Sequence, residues 1–145
     1  MTVKNITVLG SGVMGSRIAC HFANVGLQVL LLDIIPPELK EEEKANAAKR
    51  NSLVNAALLT AIKSNPSPIY KTSFVSRIKT GNFEDNITEI KDCDWILEAV
   101  VERLDIKQSL FEKVELYRKP GTLITTNTSG IPISMLIEGR SGDFK

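Results

Sequence analysis

The sequence offers little to chemistry that depends on histidine or on cysteine clusters. It has one histidine, His21, and two cysteines, Cys20 and Cys93, 73 positions apart. That spacing suits neither a zinc site nor a disulfide framework, so no metal is expected, and two buried or half-buried thiols fit a reducing compartment. Charge of either sign is not in excess. Eighteen Lys and Arg face 17 Asp and Glu, a net of +1, which gives no electrostatic case for nucleic acid or an anionic membrane surface. No apolar run approaches the roughly 18 residues of a membrane span, and the first residues lack the apolar stretch of a secretory signal. A cytoplasmic protein with no membrane or nucleic-acid partner is therefore expected. At 145 residues, 43% hydrophobic and 24% charged, the chain reads as one globular domain, 1–145.

One stretch organises the rest. Ile6, Val8 and Leu9 form a short apolar, β-branched run ending at Gly10, and further glycines follow at Gly12 and Gly15, the G-x-G-x-x-G spacing at the end of a strand. In that arrangement Gly10 permits a tight turn, Gly12 lets a pyrophosphate approach the backbone, and Gly15 lets the next helix pack closely on the sheet. Ser11, Val13 and Met14 complete the loop, whose helix N-terminus offers free amides and a positive dipole end. Ile18, Phe22 and Val25 recur at helical spacing, and Asn24–Gly26 reads as the stop. Val29–Leu32 is a second buried strand ending in Asp33, 23 residues beyond Gly10. An acid near that distance accepts the ribose hydroxyls of an adenosine. With no Arg or Lys beside Asp33, NAD is favoured over NADP. The charged helical stretch that follows favours NAD over FAD.

Two prolines, Pro36 and Pro37, break the chain, and residues 38–63 read as one long helix, acidic first and basic further on. Residues 70–76 read as a short helix or an extended passage, Arg77–Thr80 as a third strand, and Phe83–Ile90 as a small helix or turn. Asp94–Val101 is apolar almost throughout, as a central parallel strand should be. Leu104–Tyr117 is a helix, Thr122–Thr126 a fifth strand, and Ile131–Ile137 a short helix before a polar end. Alternating strands and helices point to a doubly wound parallel α/β sheet of Rossmann type, in which ligands sit outside the carboxyl ends of the strands. Gly10–Gly15, Asp33, Ala99–Glu102 and Asn127–Ser129 all fall there.

With those positions in place, the chain resembles the N-terminal NAD-binding domain of the 3-hydroxyacyl-CoA dehydrogenases. The resemblance is carried by Val8–Gly15, by Leu97-Glu98-Ala99-Val100-Val101-Glu102 with Lys107 and Phe111, and by Asn127-Thr128-Ser129. It implies oxidation of an L-3-hydroxyacyl-CoA to the 3-ketoacyl-CoA by hydride transfer to NAD, as in fatty acid β-oxidation, in some proteins fused to an enoyl-CoA hydratase. It implies that Asp33 holds the adenosine ribose and that Ala99 and Val100 lie along the cofactor. Glu102 and Lys107 then contact its nicotinamide end, Asn127 helps place nicotinamide and substrate, and Ser129 hydrogen-bonds the reacting oxygen. Read without the resemblance, Glu102 and Lys107 could be exposed charges at a helix start, and Asn127 and Ser129 helix caps. Gly130 stands where many members have a second serine. Residues 38–63 do not align well enough to transfer the CoA-facing serine and lysine, so Ser52 and Lys63 are candidates only.

Removing hydride from an alcohol also requires a base for the hydroxyl proton, usually histidine. His21 falls inside the first helix, away from the strand ends. In the resembling family the catalytic histidine and its glutamate come in a sixth strand and beyond. The chain is therefore expected to be a fragment that lacks the sixth strand and the helical substrate and dimerisation domain, and to be inactive alone. Its fifth strand would be a bare edge, covered by the last residues or by self-association. Two alternatives are the cofactor domain of another β-hydroxyacid dehydrogenase and a non-enzymatic NAD(H)-sensing module.

Overall fold

The computed structural model describes residues 2–144. Five strands, β1 (Asn5–Leu9), β2 (Gln28–Asp33), β3 (Ile78–Asn82), β4 (Trp95–Glu98) and β5 (Leu123–Thr126), form one all-parallel sheet in the order β3-β2-β1-β4-β5. This is the Rossmann arrangement expected from the sequence, with β5 at the edge where a sixth strand would lie. The period-two alternation of side chains sends the sheet's apolar residues into two cores. Ile6, Val8, Val29 and Leu31 pack with α1 (Val13–Asn24) and α3 (Ser52–Lys63) on one face. Leu9, Leu30, Leu32 and Ile96 pack with α4 (Leu104–Tyr117) on the other. Each fully buried aliphatic contributes about 1.5–3 kcal/mol, and the two cores hold the strand ends at fixed separations.

The strands and α4 lie where the sequence places them, to within a few residues. β4 is shorter than expected: beyond Glu98 the chain leaves the ladder, and Ala99 N donates to the carbonyl of Leu9 at 2.7 Å. On α1, Phe22 and the half-buried Ile18 face the core as their spacing suggests, Val25 is exposed, and the small residues Gly15, Ala19 and Ala23 let the helix lie close to β1.

The single helix expected over 38–63 is broken. Glu41–Glu43 form a 3₁₀ turn, α2 is the four-residue helix Ala47–Arg50, and α3 starts at Ser52. Asn46 Oδ1 accepts from Ala48 N and Lys49 N at 2.9 and 3.2 Å, which starts a new helix at a side-chain cap. Asn82 Nδ2 donates to Asn51 Oδ1 at 2.8 Å and ties the second break to the end of β3. Buried Val54, Leu58 and Ala61 form the apolar stripe of α3, with Ile62 packed beside them.

Further 3₁₀ turns span Thr72–Arg77 and Ile87–Asp92. The last short helix, α5, is confined to Ile133–Leu136. The segment after it returns onto α4, through Arg140 to Glu112 and Glu115, Arg118 to Asp143, and Phe144 against Phe111. Among the described residues no strand pairs with the free side of β5, and no helix is long and apolar enough to cross a membrane.

Candidate functional site

The carboxyl ends of β1, β2 and β4 open on a cleft of about 560 Å³ whose lining includes Gly10, Gly12, Asp33, Ala99 and Val100. Its floor is backbone packed to the limit. Gly10 has φ +103°, and a Cβ there would stand 2.6 Å from the Ala99 carbonyl oxygen. A Cβ on Gly15 would stand 1.9 Å from the Gly10 carbonyl oxygen. Gly12 is the opposite case, with no atom within 4 Å of the position a Cβ would take.

Gly12 is also the N-cap of α1 and supplies no capping side chain. The first amides of the helix are therefore left for an external acceptor, the geometry that suits a pyrophosphate. Val13 and Met14 are exposed on that first turn. Ser11, by contrast, is buried and faces Asp33.

Asp33 is held from three directions. Ser11 N donates to Oδ2 at 2.6 Å, Ser11 Oγ donates to the same oxygen, and Ile34 N donates to Oδ1 at 2.7 Å. The carboxylate is thus locked in place while Oδ1 keeps a free lone pair at the cleft wall. The apolar sides of the cleft include Ile34, Phe83, Val101 and Ile106. Sequence reading missed most of them, although Ile106, Ser109, Leu110 and Lys113 recur at helical spacing along one face of α4.

The loops after β4 and β5 meet over the neighbouring strand ends. Glu102 Oε1 accepts from Thr128 Oγ1 and, at 3.2 Å, from Gly130 N. Asn127 N donates to the Glu98 carbonyl at 2.8 Å, and the side chains of Asn127 and Ser129 are exposed beside this junction. Lys107 is not the exposed charge that its helix position suggests. Its side chain is 1% exposed, and Nζ lies 2.7 Å from Glu98 Oε1 and 3.7 Å from Glu102 Oε2. Removing Lys107 leaves Glu98 a buried charge without its counter-ion, at a cost of about 3–5 kcal/mol. Glu98 is the residue that sequence reading passed over. A carboxylate inside an apolar central strand requires a buried donor, and Lys107 supplies it.

Ser52 and Lys63 are exposed at opposite ends of α3, about 16 Å apart along its axis. His21 is exposed in the last turn of α1, the end of the helix away from the glycine loop. Among the described residues no group of three or more His, Cys, Asp or Glu is placed to hold a metal.

A glycine turn after the first strand, an uncapped helix N-terminus and a locked carboxylate after the second strand define a dinucleotide-binding domain of the doubly wound class. Residues 5–143 match the family described as "3-hydroxyacyl-CoA dehydrogenase, NAD binding domain". The chain belongs to that family, and its cofactor is NAD. It is 46% identical, over 99% of its length, to a "Probable 3-hydroxyacyl-CoA dehydrogenase" of Bacillus subtilis, and covers 19% of that protein. It is 43% identical, over 100% of its length, to a protein of the same description from Deinococcus radiodurans, and covers 40% of it. The chain thus spans between a fifth and two fifths of these relatives. Among solved structures it is similar to 3-hydroxybutyryl-CoA dehydrogenase of Escherichia coli K12, with a TM-score of 0.66 and 29% identity over 99% of this chain and 28% of that one.

Proposed function

We propose that this chain is the cofactor-holding domain, residues 1–145, of an L-3-hydroxyacyl-CoA dehydrogenase that oxidises the 3-hydroxyl of an acyl-CoA by hydride transfer to NAD in fatty acid β-oxidation. The observation that carries the proposal is the convergence of three loops at one side of the sheet: Gly10–Gly15 with Asp33, Ala99–Glu102, and Asn127–Ser129. NAD supplies the hydride acceptor when bound.

The chain's own residues divide the remaining tasks. The amides of Gly12, Val13 and Met14 face the pyrophosphate, Asp33 accepts from the adenosine ribose, and Ser11 fixes Asp33. Glu102 borders the nicotinamide end, and Lys107 acts there from beneath, through Glu102 and the Val100 carbonyl, which it reaches at 3.3 Å. Asn127 and Ser129 are the exposed donors beside that end, and Ser129 is assigned to the substrate oxygen. The general base lies outside these residues, in a further domain that also completes the acyl-CoA site. Relatives described as fatty acid oxidation complex trifunctional enzymes support fusion to other β-oxidation activities. Two free, buried thiols support a cytoplasmic location, and the unpaired side of β5 supports pairing with a further strand or a second copy.

The test is to titrate the 145-residue chain with NADH and then supply NAD with 3-hydroxybutyryl-CoA. The expected result is saturable NADH binding without turnover, because a base alone contributes about 10²–10⁴-fold. The second domain, expressed with this one, should restore oxidation. Absence of NADH binding would overturn the proposal, and turnover by the chain alone would overturn the division of labour.

A further inference from the structure

We propose that Glu98 is the positioning residue of the nicotinamide end. The proposal rests on the reading that this end lies between Glu102 and Asn127–Ser129. Glu98 ends β4 with its side chain fully buried. Its partners come from the three segments that meet at the site: Val100 N from the loop after β4 at 2.7 Å, Lys107 Nζ from α4 at 2.7 Å, and Thr126 Oγ1 from the end of β5.

From Thr126 the polar contacts continue outward and return. Thr126 Oγ1 accepts from Thr128 N at 3.1 Å, Thr128 Oγ1 donates to Glu102 Oε1, and Glu102 Oε2 stands 3.7 Å from Lys107 Nζ. Glu98, Thr126, Thr128 (through both its backbone amide and its hydroxyl), Glu102 and Lys107 therefore close a ring. The ring joins the 99–102 loop to the 127–130 loop.

A buried ion pair is weak evidence for stability, since an apolar pair of similar volume often serves as well or better. Position is what this one supplies. The ring holds two carboxylates and one ammonium, and Lys107 lies 2.7 Å from the buried acid against 3.7 Å from the exposed one. Glu98 keeps Lys107 from collapsing onto Glu102. Without the Glu98 charge, Lys107 turns fully to Glu102 and draws it off Thr128 Oγ1 and Gly130 N, which frees the loop carrying Asn127 and Ser129. The adenosine end, built on Gly10–Gly15 and Asp33, shares none of these contacts.

The experiment compares NADH with ADP-ribose, which lacks only the nicotinamide, on the 145-residue chain. Glu98→Gln and Thr126→Val are each expected to weaken NADH about tenfold, the loss of roughly one charge-assisted hydrogen bond, while ADP-ribose changes by less than about twofold. Thr126→Ser, which restores the hydroxyl, restores NADH affinity. Parallel loss of both ligands in the variants, or NADH binding unchanged in them, overturns the inference. If Glu98→Gln does not fold, Thr126→Val decides alone, because it leaves the ion pair intact but removes the hydroxyl that ties Glu98 to the Thr128 amide. An unaltered chain that binds NADH no tighter than ADP-ribose overturns the inference but leaves the dinucleotide reading standing. A chain that binds neither refutes the proposed function itself.

Discussion

Gly12→Ala and Gly15→Ala add the same methyl group to one loop, and they are expected to separate binding from folding. At Gly15 the new Cβ would lie 1.9 Å from the Gly10 carbonyl oxygen and 2.8 Å from its carbon. Ordinary contact begins at 3.4 Å, so α1 and the end of β1 must part by about 1.5 Å. The obstacle is backbone and cannot rotate away. Overpacking costs about 1–3 kcal/mol and occasionally more, and this variant belongs at or above the top of that range.

At Gly12 the backbone (φ −55°, ψ −176°) suits any residue, and nothing lies within 4 Å of the new Cβ. The stability cost is that of an N-cap changed from glycine to alanine, about 0.5–1 kcal/mol. On the proposed placement of the cofactor, the methyl nonetheless stands where the pyrophosphate meets the helix amides. Weakening even one charge-assisted hydrogen bond there, at roughly 1.5–3 kcal/mol, reduces NADH affinity by about tenfold or more. Urea unfolding followed by the fluorescence of Trp95, with NADH titration alongside, reads both quantities. A Gly12→Ala protein that binds NADH like the unaltered chain, or that is as unstable as Gly15→Ala, would refute the assignment of these two glycines.

Asp33→Asn should narrow the preference for NADH over NADPH, because a 2′-phosphate about 4 Å from a carboxylate is repelled by roughly 1–4 kcal/mol; an unchanged ratio of dissociation constants would remove Asp33 from the ribose site. The Lys119 ammonium and the amides of Lys4 and Asn5 hold the Asp94 carboxyl well below the usual carboxylate range. Its stabilising contribution is therefore complete above the unfolded value of about 3.9 and is lost as pH falls below it towards the folded value. The gap in urea midpoint between the unaltered chain and Asp94→Asn should hold steady above about pH 5 and shrink as pH falls from there towards 2; a constant gap would exclude the linkage. Burial pushes both the Cys20 and Cys93 thiols up, so neither should react with a disulfide reagent at neutral pH until denaturant is added, and rapid labelling of the folded chain would contradict their burial.

What the sequence made legible was local and repetitive. The glycine spacing, the β-branched runs and the acid after the second run needed no tertiary information, because each is a backbone requirement written in one short stretch. The break of the 38–63 segment was not legible in the same way. Asn46 and Asn51 are tolerated inside helices as well as at caps, and the Asn51–Asn82 bond depends on where β3 ends. On α1 only Val25 was misread: Ile18 and Phe22 face the core as their spacing suggests, whereas Val25 lies just past the last helical residue and is exposed. Lys107 looked like a surface charge because its partner stands nine positions earlier, inside a strand where Glu98 was hidden among Trp95, Ile96, Leu97 and Ala99.

The two ends of the site rest on different physics, which suits the different demands placed on them. The adenosine end is backbone against backbone, with close approaches at Gly10 and Gly15 and a carboxylate already holding three donors before any ligand arrives. On the proposed placement of the cofactor, little conformational freedom remains to be lost there on binding, and affinity is expected to concentrate at that end. The other end is a ring of polar contacts joining two exposed loops. On the proposed placement of the cofactor, this end must set the angle of a reacting ring and admit a substrate. A carboxylate buried beneath the loops meets both demands, because it fixes the side chains from below and leaves the surface above them open. The two ends can then be altered independently, the adenosine end through Gly12 and Asp33 and the nicotinamide end through Glu98 and Thr126.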